Sequence, residues 1–379
     1  MIHIIQCGKK YSQNILIIRQ PTINITLVEI SNKEKYMNVS TDQLFEKAVI
    51  FTDIHFGKSN DSRQHNVDCE NFIIWMIEEA KKFGAETCFF NGDWHHNRAR
   101  INVSTINYTI SNIERLSKAF KNVYLITGNH DLYYRDKREI NSIEFGRQLD
   151  NVHIISDIFL EGQVAIVPWL VNDEWKKVKE LECKYMMGHF ELPHFKMNAM
   201  VEMPDTGELR AEDITKPEYV FSGHFHKRQI KGNIHYTGNC FPHDFSDAWD
   251  DDRGICMLEW GGVPQYKSWP KAPKYRKIKL SQLLKNPPKY IDDMTYIRIE
   301  NDLILTYEMS TYLRDLLEKT YDPRDLSLSA VYEEQDDDLA VEESDLESVD
   351  SIVMKYISSI DSNTIDSDLL MNIYRTLSL

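Results

Sequence analysis

Five short apolar runs that each end in a polar turn constrain the fold of this chain more than any other feature. Three of them, "KAVIFTDIH", "ETCFFNGD" and "VYLITGNHD", are separated by the amphipathic segments "DCENFIIWMIEEAKKFGA" and "TINYTISNIERLSKAFKN". Two more, "CKYMMGH" and "YVFSGHFH", end in histidines. Strands that alternate with helices predict a layered α/β architecture, in which functional side chains gather at the carboxyl ends of the strands.

The polar side chains at these strand ends are of types that bind metals. Any one of them alone would more often be a turn, cap or ordinary polar residue, but together and in this order they indicate a metal site. Carboxylate, amide oxygen and imidazole donors without cysteine suit manganese, iron or zinc, and two cations about 3.5–4 Å apart need a bridging carboxylate. The candidates are Asp53, His55, Asp93, Asn129, His130, His189, His224 and His226.

The order D-x-H, G-D, G-N-H-D, G-H and G-H-x-H resembles the calcineurin-like metallophosphoesterase superfamily, over about residues 48–240. The stretches "DIHFGK", "VPWL", "GHFEL", "FSGHFHKR", "YTGN" and "DDRGICMLEW" are similar to the nuclease subunit of SbcCD-type recombination and repair complexes, and to its bacteriophage members in particular. The resemblance implies a calcineurin-like β-sandwich flanked by helices, with a small α+β capping domain and a helical C-terminal tail. It also implies two divalent metal ions, with manganese as the first candidate.

Carried over residue by residue, the resemblance implies two ligand sets that share Asp93. His130 would be the catalytic histidine that faces the scissile phosphate without binding metal. His96 would help to position DNA for exonucleolytic cutting, although His95 is its immediate neighbour. The first metal would be held by Asp53, His55, Asp93 and His226, and the second by Asp93, Asn129, His189 and His224.

Composition divides the chain into five regions. We expect a β-rich N-terminal extension over residues 1–45, which departs from the family pattern, and a nuclease domain over 46–265. A capping domain would follow over 266–330, then an acidic linker over 331–350 and a helical partner-docking tail over 351–379. The net charge is −15, but residues 333–379 hold 13 acids and 2 bases, so the rest carries −15 + 11 = −4 and a polyanionic partner is not excluded.

Seven basic residues follow the metal turns; each alone is more often a solvated surface charge, but as a group on these loops they are candidate DNA contacts. They are Arg98, Arg100, Arg135, Lys137, Arg138, Lys227 and Arg228.

The resemblance implies a DNA endonuclease and exonuclease of recombination and double-strand-break repair. It would act as a homodimer with an SMC-like coiled-coil ATPase that binds the C-terminal helices. Two alternatives stay open: a phosphatase or nucleotide phosphodiesterase on the same site, and a DNA-end-binding scaffold subunit. The chain has no apolar run of the roughly 18 residues that a membrane span needs, no secretory signal and six scattered cysteines, which favours a bacterial or phage-infected host cytoplasm.

Overall fold

A computed structural model of the protein describes residues 43–197, 201–205 and 207–329. The predicted extension lies outside this part except for residues 43–45, and the predicted linker and tail lie outside it entirely. The described strands are β1 Lys47–Phe51, β2 Thr87–Phe90, β3 Asn122–Ile126, β4 Val152–Ile155, β5 Phe159–Glu161, β6 Val164–Val167, β7 Tyr185–His189, β8 Tyr219–Gly223, β9 Gln229–Lys231, β10 Ile234–Tyr236, β11 Gly254–Glu259, β12 Gln265–Ser268, β13 Lys274–Lys279, β14 Thr295–Glu300 and β15 Asp325–Ser329.

The helices of the described residues fall into long, short and 3₁₀ segments. The α-helices are α1 Arg63–Phe83, α2 Val103–Ala119, α3 Trp175–Val178, α4 Leu280–Leu283 and α5 Tyr307–Tyr321, and a helical turn at Lys58–Asp61 has left-handed backbone angles. The 3₁₀ segments are Glu144–Gln148, Asn172–Glu174, Ala211–Asp213, Phe245–Asp247 and Pro287–Lys289. Within the described ranges, no helix combines the length and apolar character needed to cross a membrane.

Two six-stranded sheets carry all five predicted metal turns. The first has the order β12-β11-β1-β2-β3-β4 and the second the order β5-β6-β7-β8-β10-β9. Strands β1 to β4 pair in parallel, and so do β6, β7, β8 and β10. Parallel strands end at the same edge of a sheet, so the turns that follow β1, β2 and β3 are neighbours, as are those that follow β7 and β8.

The two sheets face each other across a largely apolar layer. Ile50, Phe89 and Ile126 of the first sheet pack in one buried cluster with Met187 and Phe221 of the second. Each of these side chains has no exposed surface, and full burial of such a group contributes about 1.5–3 kcal/mol. The predicted β-sandwich is therefore confirmed.

Helix α1 shows how the sequence covers the outer face of the first sheet. Phe72, Met76 and Ala80 recur at helical spacing and are fully buried in the cluster beneath the helix. The Ser62 side chain accepts a hydrogen bond from the backbone at the first turn, and Gly84 ends the helix with a φ of 83°. The helix thus begins about five residues before the predicted segment.

A third, smaller sheet has the order β13-β14-β15, with all three strands parallel. It has its own core, which includes Ile278, Ile297 and Leu317. The predicted start of the capping domain at residue 266 is too early, because β12 still pairs with β11 in the first sheet. The small sheet begins at Lys274.

Candidate metal centre

The turns that carry the predicted ligands have strained backbones. Asp53, His55, Asp93 and His224 have φ values of 51°, 52°, 63° and 85°. A positive φ is uncommon for residues other than glycine, costs about 1–3 kcal/mol and concentrates at functional sites. The fold therefore holds unfavourable backbone conformations at four of the predicted ligand positions.

Glycines allow these turns to approach one another closely. A Cβ atom on Gly92 would lie 2.4 Å from Nδ1 of His189, and one on Gly128 would lie 2.2 Å from Oδ1 of Asp93. Gly92 also has a φ of 98°. Neither position can hold a side chain without moving a predicted metal ligand.

The four side chains of the first predicted ligand set converge. Nε2 of His55 lies 3.2 Å from Nε2 of His226, 3.9 Å from Oδ1 of Asp53 and 3.7 Å from Oδ2 of Asp93. Asp53, His55 and Asp93 are buried, and His226 is half-buried. The Asp53 carboxylate is fixed by the Thr52 hydroxyl, which donates to it at 2.7 Å.

The second predicted set also converges, and Asp93 lies between the two sets. Oδ1 of Asn129 lies 3.0 Å from Nε2 of His189 and 3.1 Å from Nδ1 of His224. Oδ2 of Asp93, which faces His55 of the first set, lies 3.4 Å from Nε2 of His189. Its position is the one that a bridging carboxylate requires.

Hydrogen bonds on the far side of two imidazoles orient them. Nδ1 of His189 lies 2.7 Å from the Asn91 carbonyl oxygen, which can only accept, so Nδ1 carries a proton and Nε2 is the nitrogen that faces the site. Nε2 of His224 lies 3.3 Å from Oε1 of Glu191, which leaves Nδ1 facing Asn129. Glu191 was missed in the sequence, where its place two residues after His189 was the only signal.

The electrostatics of the buried groups also favour a cation. Burial raises the pKa of Asp53 to about 7, and the neighbouring Asp93 charge adds to the effect. Burial would also raise the pKa of Asp93, but His189 and the His130 backbone N–H hold it below its usual range. Burial and the adjacent His226 lower the pKa of His55 well below its ordinary value. Imidazoles and carboxylates that converge in a buried site are a donor set that fits divalent metal ions.

His130 lies beside both sets with one ring nitrogen turned away. Its Nδ1 lies 2.7 Å from the His96 carbonyl oxygen, and the two rings stack with centroids 5.5 Å apart. His95 instead points into the core, where its ring nitrogens lie 2.7 Å from the Ser142 hydroxyl and 2.9 Å from that of Thr109. Of the two adjacent histidines, the structure therefore brings His96 to the centre.

Asp131, the last residue of "GNHD", ties two metal turns together and was not among the predicted site residues. Its buried carboxylate accepts hydrogen bonds from the backbone N–H groups of Gly128, Asp93 and Trp94 at 2.9 Å each, and of His95 at 3.1 Å. The turns after β2 and β3 are thus held to one carboxylate. Its only signal in the sequence was its place next to His130.

Asp131→Asn should destabilise the protein by about 2–3 kcal/mol, the range for hydrogen bonds to a charged group, since an amide places N–H donors against N–H donors. Chemical denaturation of the metal-free protein would measure the change. Asp150→Asn, at an exposed position, is the matched control and should stay within about 0.5 kcal/mol of wild type. Equal stability of the two variants would contradict the role of Asp131.

Four of the seven predicted DNA contacts remain available on the loops after β2 and β3. Arg98 is half-buried, and Arg100 and Arg135 are exposed. None of these three arginines forms an ion pair with a described residue, whereas exposed Lys137 lies 3.6 Å from Glu139. The three arginines are the better candidates for contact with phosphate.

The other three basic residues form ion pairs within the protein, so they are less available to contact DNA, and their predicted role stays a prediction. The guanidinium groups of Arg138 and Arg228 are buried, and each pairs with a carboxylate at the surface of the domain. Such contacts favour a structural role over DNA binding. The nitrogen–oxygen distances are 2.5 Å for Arg138–Glu174, 2.6 Å for Arg228–Asp252 and 2.7 Å for Lys227–Asp250.

Comparison with known proteins agrees with this site. Residues 47–228 match the family model of the calcineurin-like phosphoesterases. The "Exonuclease subunit 1" of Enterobacteria phage T4 is 25% identical over 217 residues, which cover 55% of this chain and 62% of that protein. The "Putative phosphoesterase 244L" of Invertebrate iridescent virus 6 is 25% identical over 232 residues, which cover 56% and 75% respectively. The chain thus spans less than two thirds of the phage protein.

Two solved structures were also matched. The match to the nuclease MPE of Pseudomonas putida covers 50% of this chain and 66% of the MPE chain, with a TM-score of 0.27 and 16% identity. The cold-active protein-tyrosine phosphatase of a Shewanella species covers 66% and 89%, with a TM-score of 0.31 and 13% identity. On the family match and the confirmed sandwich, the chain carries a domain of the calcineurin-like phosphoesterase family.

Proposed function

We propose that this metal-dependent phosphoesterase is a DNA nuclease that cleaves phosphodiester bonds at ends and within strands. The observation that carries the proposal is the position of Asp93 between two convergent ligand sets, with His130 beside them. The name of the phage relative, an exonuclease subunit, supports a nucleic acid as the substrate. We place the activity in DNA recombination and double-strand-break repair.

The chemistry follows from the proposed roles of the side chains. When bound, two divalent cations lower the pKa of water and offset the charge on a phosphate. Asp93 would contribute its carboxylate to both metals, and the turn that carries it, with a φ of 63°, holds the carboxylate between the two sets. The His96 carbonyl accepts from Nδ1 of His130, so Nε2 is the nitrogen proposed to donate a proton to the leaving sugar oxygen.

The test is hydrolysis of end-labelled linear duplex DNA by the purified full-length protein with Mn²⁺ or with EDTA. A phosphodiester dye, bis(p-nitrophenyl) phosphate, and a phosphomonoester dye, p-nitrophenyl phosphate, run in parallel. Shortening of DNA that depends on the metal supports a nuclease. Rapid hydrolysis of the monoester with intact DNA would instead assign the protein to the phosphatases.

Arg98, Arg100 and Arg135 are proposed to bind DNA phosphates. Changing all three to glutamine should make the dependence of DNA affinity on salt shallower by about 2–3 in log–log slope, because each phosphate contact contributes about 0.9. Fluorescence anisotropy at several salt concentrations would measure the slope. The triple lysine variant keeps the charge and is the matched control, so an unchanged slope in the glutamine variant would refute the assignment.

Manganese is proposed as the metal because carboxylate and amide oxygens are mixed with imidazoles in both sets. Activity restored to the metal-free protein by Mn²⁺ but not by Mg²⁺ would support it. Titration of each metal into protein treated with chelator is the direct measurement.

We also propose that the protein is a homodimer that works with an SMC-like coiled-coil ATPase. Support for the ATPase comes from the sequence of residues 351–379, which lie outside the described residues and follow an acidic stretch. Deletion of residues 351–379 should abolish binding to such an ATPase while cleavage of the dye diester is unchanged. Sedimentation of the purified protein would test the dimer.

A further inference from the structure

His243, in the loop "TGNCFPHDF" after β10, is a buried histidine that the predicted ligand sets do not use. The residue is 1% exposed, and neither ring nitrogen has a hydrogen-bond partner among the described residues. Its ring centroid lies 5.5 Å from that of His55 and 5.5 Å from that of His226. One nitrogen from each of these three rings lies within 4.8 Å of the others.

Hydrogen bonds and a buried ion pair fix the backbone of the loop that carries His243. The His243 backbone N–H donates to Oδ2 of Asp247 at 2.9 Å, and the Tyr275 hydroxyl donates to the His243 carbonyl at 2.9 Å. Asp247 in turn pairs with Arg253 at 3.2 Å, and both side chains are buried. The ring is therefore fixed against His55 and His226 by a network that does not use its nitrogens.

Packing alone does not account for a histidine here. The ring contacts Phe241 and His65, with centroids 5.0 Å and 5.2 Å away, and an aromatic hydrocarbon would fill the same space. A buried polar atom without a partner is unfavourable, and His243 carries two such atoms. By contrast, the buried rings of His65 and His95 both have hydrogen-bond partners. A group that accepts the lone pair of one His243 nitrogen would remove the cost at that nitrogen.

We propose that His243 is an additional imidazole ligand of the first metal, beside His55 and His226. The inference rests on the proposed metal centre but does not depend on DNA being the substrate. The first metal then has three imidazoles and two carboxylates, whereas the second has two imidazoles, one carboxylate and one amide oxygen. Since imidazole donors suit zinc, iron and nickel better than magnesium, the first position discriminates more strongly against magnesium than the second.

Cobalt binding to the full-length, metal-free protein tests the proposal independently of catalysis. Co²⁺ absorbs visible light according to its ligands, and elemental analysis counts the bound ions. His243→Phe should weaken binding of the first Co²⁺ by more than about 100-fold, beyond the about 10–100-fold cost of losing a residue that only orients a ligand. The absorption spectrum of the loaded protein should change at the same time.

His235→Phe is the matched control, because His235 is also buried but pairs with the Tyr266 hydroxyl at 2.6 Å, away from the ligand sets. It should bind two Co²⁺ ions with the wild-type spectrum. If His243→Phe does not fold, His243→Gln keeps a polar side chain and should show the same loss of affinity. Unchanged affinity and spectrum in the His243 variant would overturn its role as a ligand. Failure of the wild type to bind Co²⁺ would instead overturn the metal centre itself.

Discussion

Asp93→Ala should remove both metal ions and lower phosphodiester hydrolysis by more than about 10³-fold, since loss of one charge-stabilising group alone costs about 10²–10³-fold. The Asp93 carboxylate faces both sets, at 3.7 Å from His55 and 3.4 Å from His189. Without it the first set keeps Asp53, His55 and His226, with His243 beside them, and the second keeps three side chains, but neither has the shared charge. Elemental analysis after dialysis, together with cleavage of a dye diester, would measure both effects.

The backbone of Asp93 requires a second variant. Its φ of 63° is tolerated by asparagine better than by alanine, so Asp93→Asn separates loss of charge from backbone strain. In the wild type, Oδ1 of Asp93 accepts a hydrogen bond from the His130 backbone N–H at 2.8 Å. The amide oxygen of asparagine can accept the same hydrogen bond. Asp93→Asn should fold with near wild-type stability yet bind metal weakly. The exposed Asp150→Ala should change neither metal content nor rate, and two tightly bound ions in Asp93→Ala would contradict a bridging role.

The sequence was informative where chemistry and local structure coincide. An apolar run followed by a polar turn specifies both a buried strand and the residue at its end. Asp53, Asp93 and Asn129 could therefore be placed at strand ends before any tertiary information was used. The sandwich and the family were predicted for the same reason, because each motif lies on its own strand.

What could not be predicted depends on contacts between distant parts of the chain. Arg138 pairs with Glu174, which lies 36 residues further along the chain. The sequence does not reveal that pair, so Arg138 was predicted to be free to contact DNA. His243 lies on a loop with no metal motif. It is near His55 because the second sheet packs against the first. Asp131 likewise reveals its role only through the four backbone groups that donate to it.

His130→Asn should keep both metals and lose about 10²–10⁴-fold in the rate of DNA cleavage, the range for general acid catalysis. The His130 side chain belongs to neither of the two proposed ligand sets. Its backbone N–H donates to Asp93 whichever side chain is present, so the bridging carboxylate stays in place. Metal content and cleavage rate, measured on the same preparation, would show the two effects separately.

The identity of the leaving group makes the role of His130 more specific. A sugar alkoxide needs a proton as it departs, whereas p-nitrophenolate leaves readily without one. His130→Asn should therefore lose far less activity on bis(p-nitrophenyl) phosphate than on DNA. An equal loss on both substrates would argue against proton donation to the leaving oxygen and in favour of a role in holding the phosphate.

A rival assignment makes His130 a metal ligand, because ring nitrogens of His55, His96 and His130 lie within 4.8 Å of one another. Under that assignment His130→Asn loses a metal ion, and His96→Asn loses the same ion. Under the assignment favoured here both variants keep two ions. Nδ1 of His130 already meets the His96 carbonyl at 2.7 Å, so only Nε2 is left, and it cannot both bind a metal and donate a proton. If His130→Asn keeps both metal ions and loses activity only on DNA, whose sugar alkoxide is the poor leaving group, His130 acts as a general acid and not as a metal ligand.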